Sequence, residues 1–387
     1  MNLLHPRVDP RHVDEPEAEA LIREARRLRR RRWVIGVVIA VVIAGGSATL
    51  ATVTARSTAN EPPISPPTFS DRTAPALPVG SYVPLKVAGP LAVAPDGRLY
   101  VADTARDQVL VRLANGRFRV IAGDGKVGFS GDGGPAPDAE LSSVSDMAFA
   151  PNGSLYLADG DRVRVVEPSG VIRTVAGNGV VGKTIATGTL ALSAPIGGDD
   201  GLSIAFSPSG VLYISRFSQV LRLVDGKLYP IRAIVPSGLL KGDFNYNLFS
   251  IAVSKNGDVY VSGFNGWSVW KIAPSGVASE VGLASEARQS GGAPAVVQRG
   301  PNGDIYAEGG STLLRVTGSE LVPALKLLQP IRDGSYFWLT NFAFAPNGTV
   351  YADEIPGGRG FEQHQQLLAV RNGHPLVLWQ ESNKTVS

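Results

Sequence analysis

The chain has 387 residues, 44% hydrophobic and 18% charged, too apolar to be disordered and long enough to bury a sizeable core. Its 45 Gly and 28 Pro favour a turn-rich all-β architecture, and the absence of Cys excludes disulfides, thiolate zinc sites and a cysteine nucleophile. The net charge of +3 belongs to the N-terminus: residues 1–32 hold nine Arg against six acids, leaving 28 charges of each sign in the rest. A balanced body lacks the clustered cations of a nucleic-acid-binding face, so no nucleic-acid partner is expected.

Residues 1–32 read as a cytoplasmic tail ending in an Arg-rich juxtamembrane block, with seven Arg and one Glu between Arg23 and Arg32. Residues 33–53, WVIGVVIAVVIAGGSATLATV, carry no charge. As a helix they reach ~31 Å, enough to cross a bilayer core. Cations are retained on the cytoplasmic side, which predicts a single-pass membrane protein with its body outside the cell. A cleaved signal peptide, leaving a secreted body, is the alternative, since the most apolar stretch is short and Val53-Thr54-Ala55 offers small residues to a peptidase. Residues 54–84 are rich in Pro, Ser, Thr and Ala and read as an extended linker.

From residue 85 one unit recurs: PDGRLYVAD at 95–103, PNGSLYLAD at 151–159, PSGVLYISR at 208–216, KNGDVYVSG at 255–263, PNGDIYAEG at 301–309 and PNGTVYADE at 346–354. Each has a turn Gly with a Tyr three residues later. Five copies are followed by an apolar–basic–apolar strand, centred on Arg112, Arg164, Arg222, Lys271 and Arg315, and a further Gly turn; in the sixth this strand lacks the cation. With one strand before the first turn and one after the second, each unit supplies four antiparallel strands. Such a sheet, apolar on both faces, needs neighbours on both sides, which predicts a six-bladed β-propeller over 85–380 with a short tail at 381–387.

The unit, and the segment AGDGKVGFSGDGGPAPDAEL at 122–141 after its first copy, resemble the NHL-repeat propellers. Asp103 and Asp159 keep that family's strand-end Asp, while the later copies have Arg216, Gly263, Gly309 and Glu354. An anchor followed by an external propeller is similar to the sensor domain of actinobacterial receptor kinases, but 32 residues before the anchor leave no room for a kinase. The resemblance implies a binding platform and names no ligand.

Antiparallel order sends the middle turn of each blade and the link to the next blade to one face of the disc. The links 123–143, 177–199, 235–248, 282–294 and 326–339 and the middle loop 355–365 are long, and long loops on a rigid scaffold are where binding resides. Aromatics in the later loops, with a neighbouring Arg, are candidates for contact with a protein, peptide or glycan: Phe244, Tyr246, Phe264, Trp267, Tyr336, Trp338, Arg359 and Phe361. The Asp-rich run 131–138 fits no calcium-loop spacing and reads as loop architecture, because its frame returns at 176–195 without the Asp residues.

Seven residues before each first-turn Gly, at the start of the innermost strand, stand Pro90, Asp146, Ser203, Ser250, Val296 and Asn341. The polar members Asp146, Ser203, Ser250 and Asn341 are candidates for the channel mouth. As an acid–base or metal set they are poor, and His5, His12, His364 and His374 cannot converge on them. The expectation is therefore a binding propeller without catalytic residues, metal or cofactor. A channel-mouth lyase or hydrolase using a divalent metal, of the lactonase or streptogramin-lyase type, is the rival, and a purely structural scaffold the third reading.

Overall fold

The computed structural model describes residues 80–182, 184–198, 201–216, 219–231, 248–263, 269–283, 296–310, 312–327, 336–357 and 365–380. Six four-stranded antiparallel units follow one another along the chain. Blade 1 is β2 (Ala88–Val93), β3 (Leu99–Asp103), β4 (Gln108–Arg112) and β5 (Phe118–Ala122), preceded by β1 (Tyr82–Val83). Blade 2 is β6 (Val144–Phe149), β7 (Leu155–Asp159), β8 (Arg162–Val166) and β9 (Ile172–Ala176). Blade 3 is β11 (Ser203–Phe206), β12 (Leu212–Arg216), β13 (Gln219–Val224) and β14 (Lys227–Pro230), preceded by β10 (Thr189–Leu190). Blade 4 is β15 (Leu248–Val253), β16 (Val259–Gly263), β17 (Val269–Ile272) and β18 (Ala278–Leu283). Blade 5 is β19 (Val297–Arg299), β20 (Ile305–Gly309), β21 (Thr312–Thr317) and β22 (Glu320–Lys326); blade 6 is β23 (Tyr336–Phe344), β24 (Val350–Gly357), β25 (Gln366–Arg371) and β26 (His374–Gln380).

The innermost strands β2, β6, β11, β15, β19 and β23 touch one another in that order, and β23 returns to β2, so the ring is closed. Its core is divided into six apolar clusters, one at each blade boundary, including the closing one where Leu91 and Val101 meet Ala343 and Leu367. This is the burial that two-sided apolar strands require. The repeated Tyr carries part of it: Tyr100 packs on Phe149, Tyr156 on Phe206 and Tyr306 on Phe344, each on the next blade's innermost strand, with centroids 4.8–4.9 Å apart. Closure also uses two polar contacts: Trp379 Nε1 donates to Leu85 O at 3.0 Å and Gln365 Nε2 to Ala88 O at 2.6 Å.

The six first-turn glycines have φ between 80° and 87°, the left-handed region that the repeat reserves for them. Two sequence expectations change. The fold begins inside the stretch assigned to the linker, since Gly80 N donates to Val120 O and β1 pairs with β5. The basic residue of the third strand is also not in one phase: Arg222, Lys271 and Arg315 lie opposite the repeat Tyr, whereas Val111 and Val165 hold that place in blades 1 and 2. Arg164 is thereby shifted one residue, onto the other face of its sheet, where it does something different. The apolar segment 33–53 lies outside the described residues, and among those described no helix is long and apolar enough to cross a membrane.

Candidate functional site

The link 123–143 and the described part of 177–198 leave outer strands on the face that also receives the middle turns. Both start alike. Gly123 N donates to Ala136 O and Asp124 N to Ala139 O; Gly177 N donates to Ala191 O and Asn178 N to Ala194 O, and a short 3-10 turn follows in each, Ala136–Asp138 or Ala191–Ser193. Gly123 and Gly177 both have φ +95°, and a Cβ on Gly177 would stand 2.5 Å from Asp161 O. The shared frame is thus one backbone device used twice.

Each link is then held by a buried arginine. The Arg164 side chain has no exposure; it donates to Ser130 O at 2.7 Å, Glu140 O at 2.8 Å and Asp132 Oδ1 at 2.8 Å, and pairs with buried Asp159 at 3.3 Å. Asp132 Oδ2 also accepts from Thr174 N at 3.0 Å. Burial alone would raise the Asp132 carboxyl, but its bonds from Thr174 and Arg164 outweigh that and hold it below the usual range. Asp132 thus serves the loop's architecture, as the returning frame implied. In blade 3 the fully buried Arg216 donates from Nε to Ile196 O at 2.8 Å and from Nη2 to Gly197 O at 3.0 Å and to Gly182 O, and burial lowers its pKa to about 10.

These folded links leave apolar side chains in solvent: Val127 and Phe129 on the first, Val180 and Val181 on the second, between 41% and 54% exposed. Arg162 joins the two, its guanidinium 3.6 Å over the Phe129 ring and its Nη2 donating to Asn178 O at 3.2 Å. The sequence reading passed over this group. Its signal was present in Lys126-Val127-Gly128-Phe129 and Gly179-Val180-Val181, apolar residues in Gly-rich loops where neither strand alternation nor a helix accounts for them.

Of the aromatic candidates, Phe244, Tyr246, Phe264, Trp267, Arg359 and Phe361 lie outside the described residues. Tyr336 and Trp338, assigned to a loop, are instead strand residues: β23 starts at Tyr336, opposite Gly357, with Trp338 opposite Ile355. The β23–β24 ladder is four pairs longer than the loop boundaries 326–339 and 355–365 allowed, because aromatic and β-branched residues extend a strand readily.

Three of the four channel-mouth candidates, Asp146, Ser203 and Ser250, are blade-to-blade fasteners. Innermost strands of blades 1, 2, 4 and 6 carry a register shift here, between Ala88 and Leu91, Val144 and Asp146, Leu248 and Ser250, and Leu339 and Asn341. Such bulges re-aim side chains. Asp146 Oδ2 accepts from Ser203 Oγ at 2.6 Å and Ile204 N at 2.9 Å, and Oδ1 from Met147 N at 2.7 Å. Ser145, beside it, bonds Leu202 O at 2.7 Å. Ser203 Oγ accepts from Ile251 N, and Ser250 Oγ bonds both Val297 N and O. Asn341 is half-buried, and its Oδ1 has no hydrogen-bond partner. Burial pushes Asp146 up to about 6 against its three donors. Among the described residues no group of three His, Cys, Asp or Glu side chains is placed to hold a metal.

The strands, their ring and its six boundaries define an all-β six-bladed propeller. No protein-family model matches the chain. Mouse teneurin-1 is 34% identical over 100 residues and Drosophila melanogaster teneurin-m 32% over 102; the match covers 22% and 23% of this chain and 4% of either relative. Among solved structures, a gluconolactonase from Xanthomonas campestris has a TM-score of 0.47 at 13% identity, covering 75% of this chain and 88% of that one. Virginiamycin B lyase from Staphylococcus aureus has a TM-score of 0.45 at 12% identity, covering 72% and 83%.

Proposed function

We propose that the body is an NHL-type binding propeller, held outside the cell by the segment 33–53, whose long-loop face takes up a protein, peptide or glycan. One observation carries this reading: two links on that face are fixed by buried arginines, yet leave Val127, Phe129, Val180 and Val181 exposed. Apolar and aromatic groups fixed in solvent on a rigid frame lose little ordering entropy when a partner docks. The lyase or hydrolase reading has less support, because Asp146 accepts bonds from three protein donors and is 9% exposed, whereas a catalytic acid or base must reach its substrate.

The test is photo-cross-linking of the full chain in its native cells, with the reactive group at Phe129 or Val181, and at Asn152 on the opposite face as the control. Discrete adducts from the first two positions and none from Asn152 are expected. Adducts from Asn152 alone, or the same adducts from all three, contradict the assignment of the face.

A further inference from the structure

Five of the six outer blade edges are covered by another stretch of backbone. β1 adds to β5 through Tyr82 opposite Arg119 and Val83 opposite Phe118. The turn 131–136 lies along β9, where Gly133 N donates to Ile172 O at 2.7 Å and Ile172 N to Gly134 O at 3.0 Å. β10 adds to β14, and β18 and β22 cover each other in parallel, Gly282 opposite Glu320 and Leu283 opposite Leu321. Among the described residues no segment pairs with the outer edge of β26, where Leu376 is 64% and Val377 51% exposed.

The charge pattern is the reverse of what an edge meant to stay single carries. Each covered strand includes a charged residue: Arg119 in β5, Arg173 in β9, Lys227 in β14, Glu280 in β18 and Glu320 in β22. The strand β26, HPLVLWQ, which nothing covers among the described residues, contains no Lys, Arg, Asp or Glu. Edges that remain unpaired are normally blunted by charge, Lys above all. We propose that β26 is the contact through which two copies of this chain pair, antiparallel and edge to edge.

The hairpin dictates the register. Asn372 (φ 52°) and Gly373 (φ 77°) make a two-residue loop, so Arg371 and His374 exchange both backbone bonds. Alternation then turns the polar groups of Leu376 inward to Ala369 and those of Pro375 and Val377 outward. Pro375 offers no N–H, so Val377 is the first outward residue with both a donor and an acceptor. On a two-fold axis, Val377 exchanges both bonds with the second copy's Val377. Self-pairing sets each axial residue against its own kind, where any charge would meet its like; a different partner strand could answer a charge with its opposite. A strand free of Lys, Arg, Asp and Glu therefore selects a second copy.

This inference is independent of the ligand-binding reading and is tested apart from it. Because the chain has no cysteine, Val377→Cys introduces a single thiol. Opposed Cα atoms of a bonded antiparallel pair lie ~5.5 Å apart, within the span of a disulfide. Mild oxidation of the full chain should link Val377→Cys into a dimer and leave Val277→Cys, 47% exposed between β17 and β18, unlinked. In sedimentation equilibrium the wild type should be dimeric, and Val377→Lys should weaken association about tenfold or more, through like charges set face to face, with the far-ultraviolet circular dichroism spectrum unchanged. A monomeric wild type, a dimer indifferent to Val377→Lys, or equal linking of both cysteines overturns the proposal.

Discussion

Replacing Arg164 with Met keeps most of the side chain's aliphatic length and removes the guanidinium that holds the 123–143 link. The loss is large because of where the partners lie. Asp159 has no exposure and loses its cation, and the carbonyls of Ser130 and Glu140 lose donors at 2.7 and 2.8 Å. Removing one partner of a buried pair costs ~3–5 kcal/mol. Asp132 is 36% exposed, so Asp132→Asn, which keeps an acceptor toward Arg164 and is screened by solvent, should cost only ~1 kcal/mol. Urea denaturation of both variants beside the wild type measures the two costs. Trypsin gives a local readout, because Lys126 sits in the held link with its side chain 75% exposed: cleavage after Lys126 should accelerate in Arg164→Met and stay near the wild-type rate in Asp132→Asn. A cost below ~1 kcal/mol for Arg164→Met, or a larger cost for Asp132→Asn, would refute the clasp.

Asp146 gives a pH prediction. Its folded pKa, raised by burial to about 6, exceeds its unfolded value near 3.8, so the folded state binds the extra proton and the stability it brings is complete below pH 3.8 and lost as pH rises through 6. The wild type should therefore lose up to ~3 kcal/mol relative to Asp146→Asn between pH 4 and pH 7 in paired thermal melts, and parallel curves would contradict the burial argument. Gly177→Ala should destabilise by ~2–4 kcal/mol, from its positive φ and the clash with Asp161 O, whereas Gly188→Ala, with φ +79° but open space around it, should cost less than half as much. Equal costs in chemical denaturation would show that the frame is not tight.

The blade count was legible because a φ-positive Gly and a Tyr packing on the next blade must recur wherever a four-stranded sheet meets its neighbour, and both leave fixed letters at fixed spacing. The turn-and-link alternation was legible for the same reason. The role of Arg164 was not, since its third strand is out of phase with those of blades 3–5 and only the register reveals which face it takes. Asp146, Ser203 and Ser250 were found by position, but their task was not; for Asp146 and Ser250, bulges at the strand starts re-aim side chains without leaving a sequence mark. The exposed apolar group at Val127, Phe129, Val180 and Val181 lay hidden in loops whose Gly content masks any periodicity.

A long-loop face built before any partner arrives is tested most directly by hydrogen exchange of the full chain. The amides of Gly123, Asp124, Gly128, Gly177 and Asn178, all bonded within their links, should exchange as slowly as those of β7 and β12. Exchange of these amides at the rate of an unstructured loop, with β7 and β12 protected, would mean that the face forms only on binding and would contradict the account.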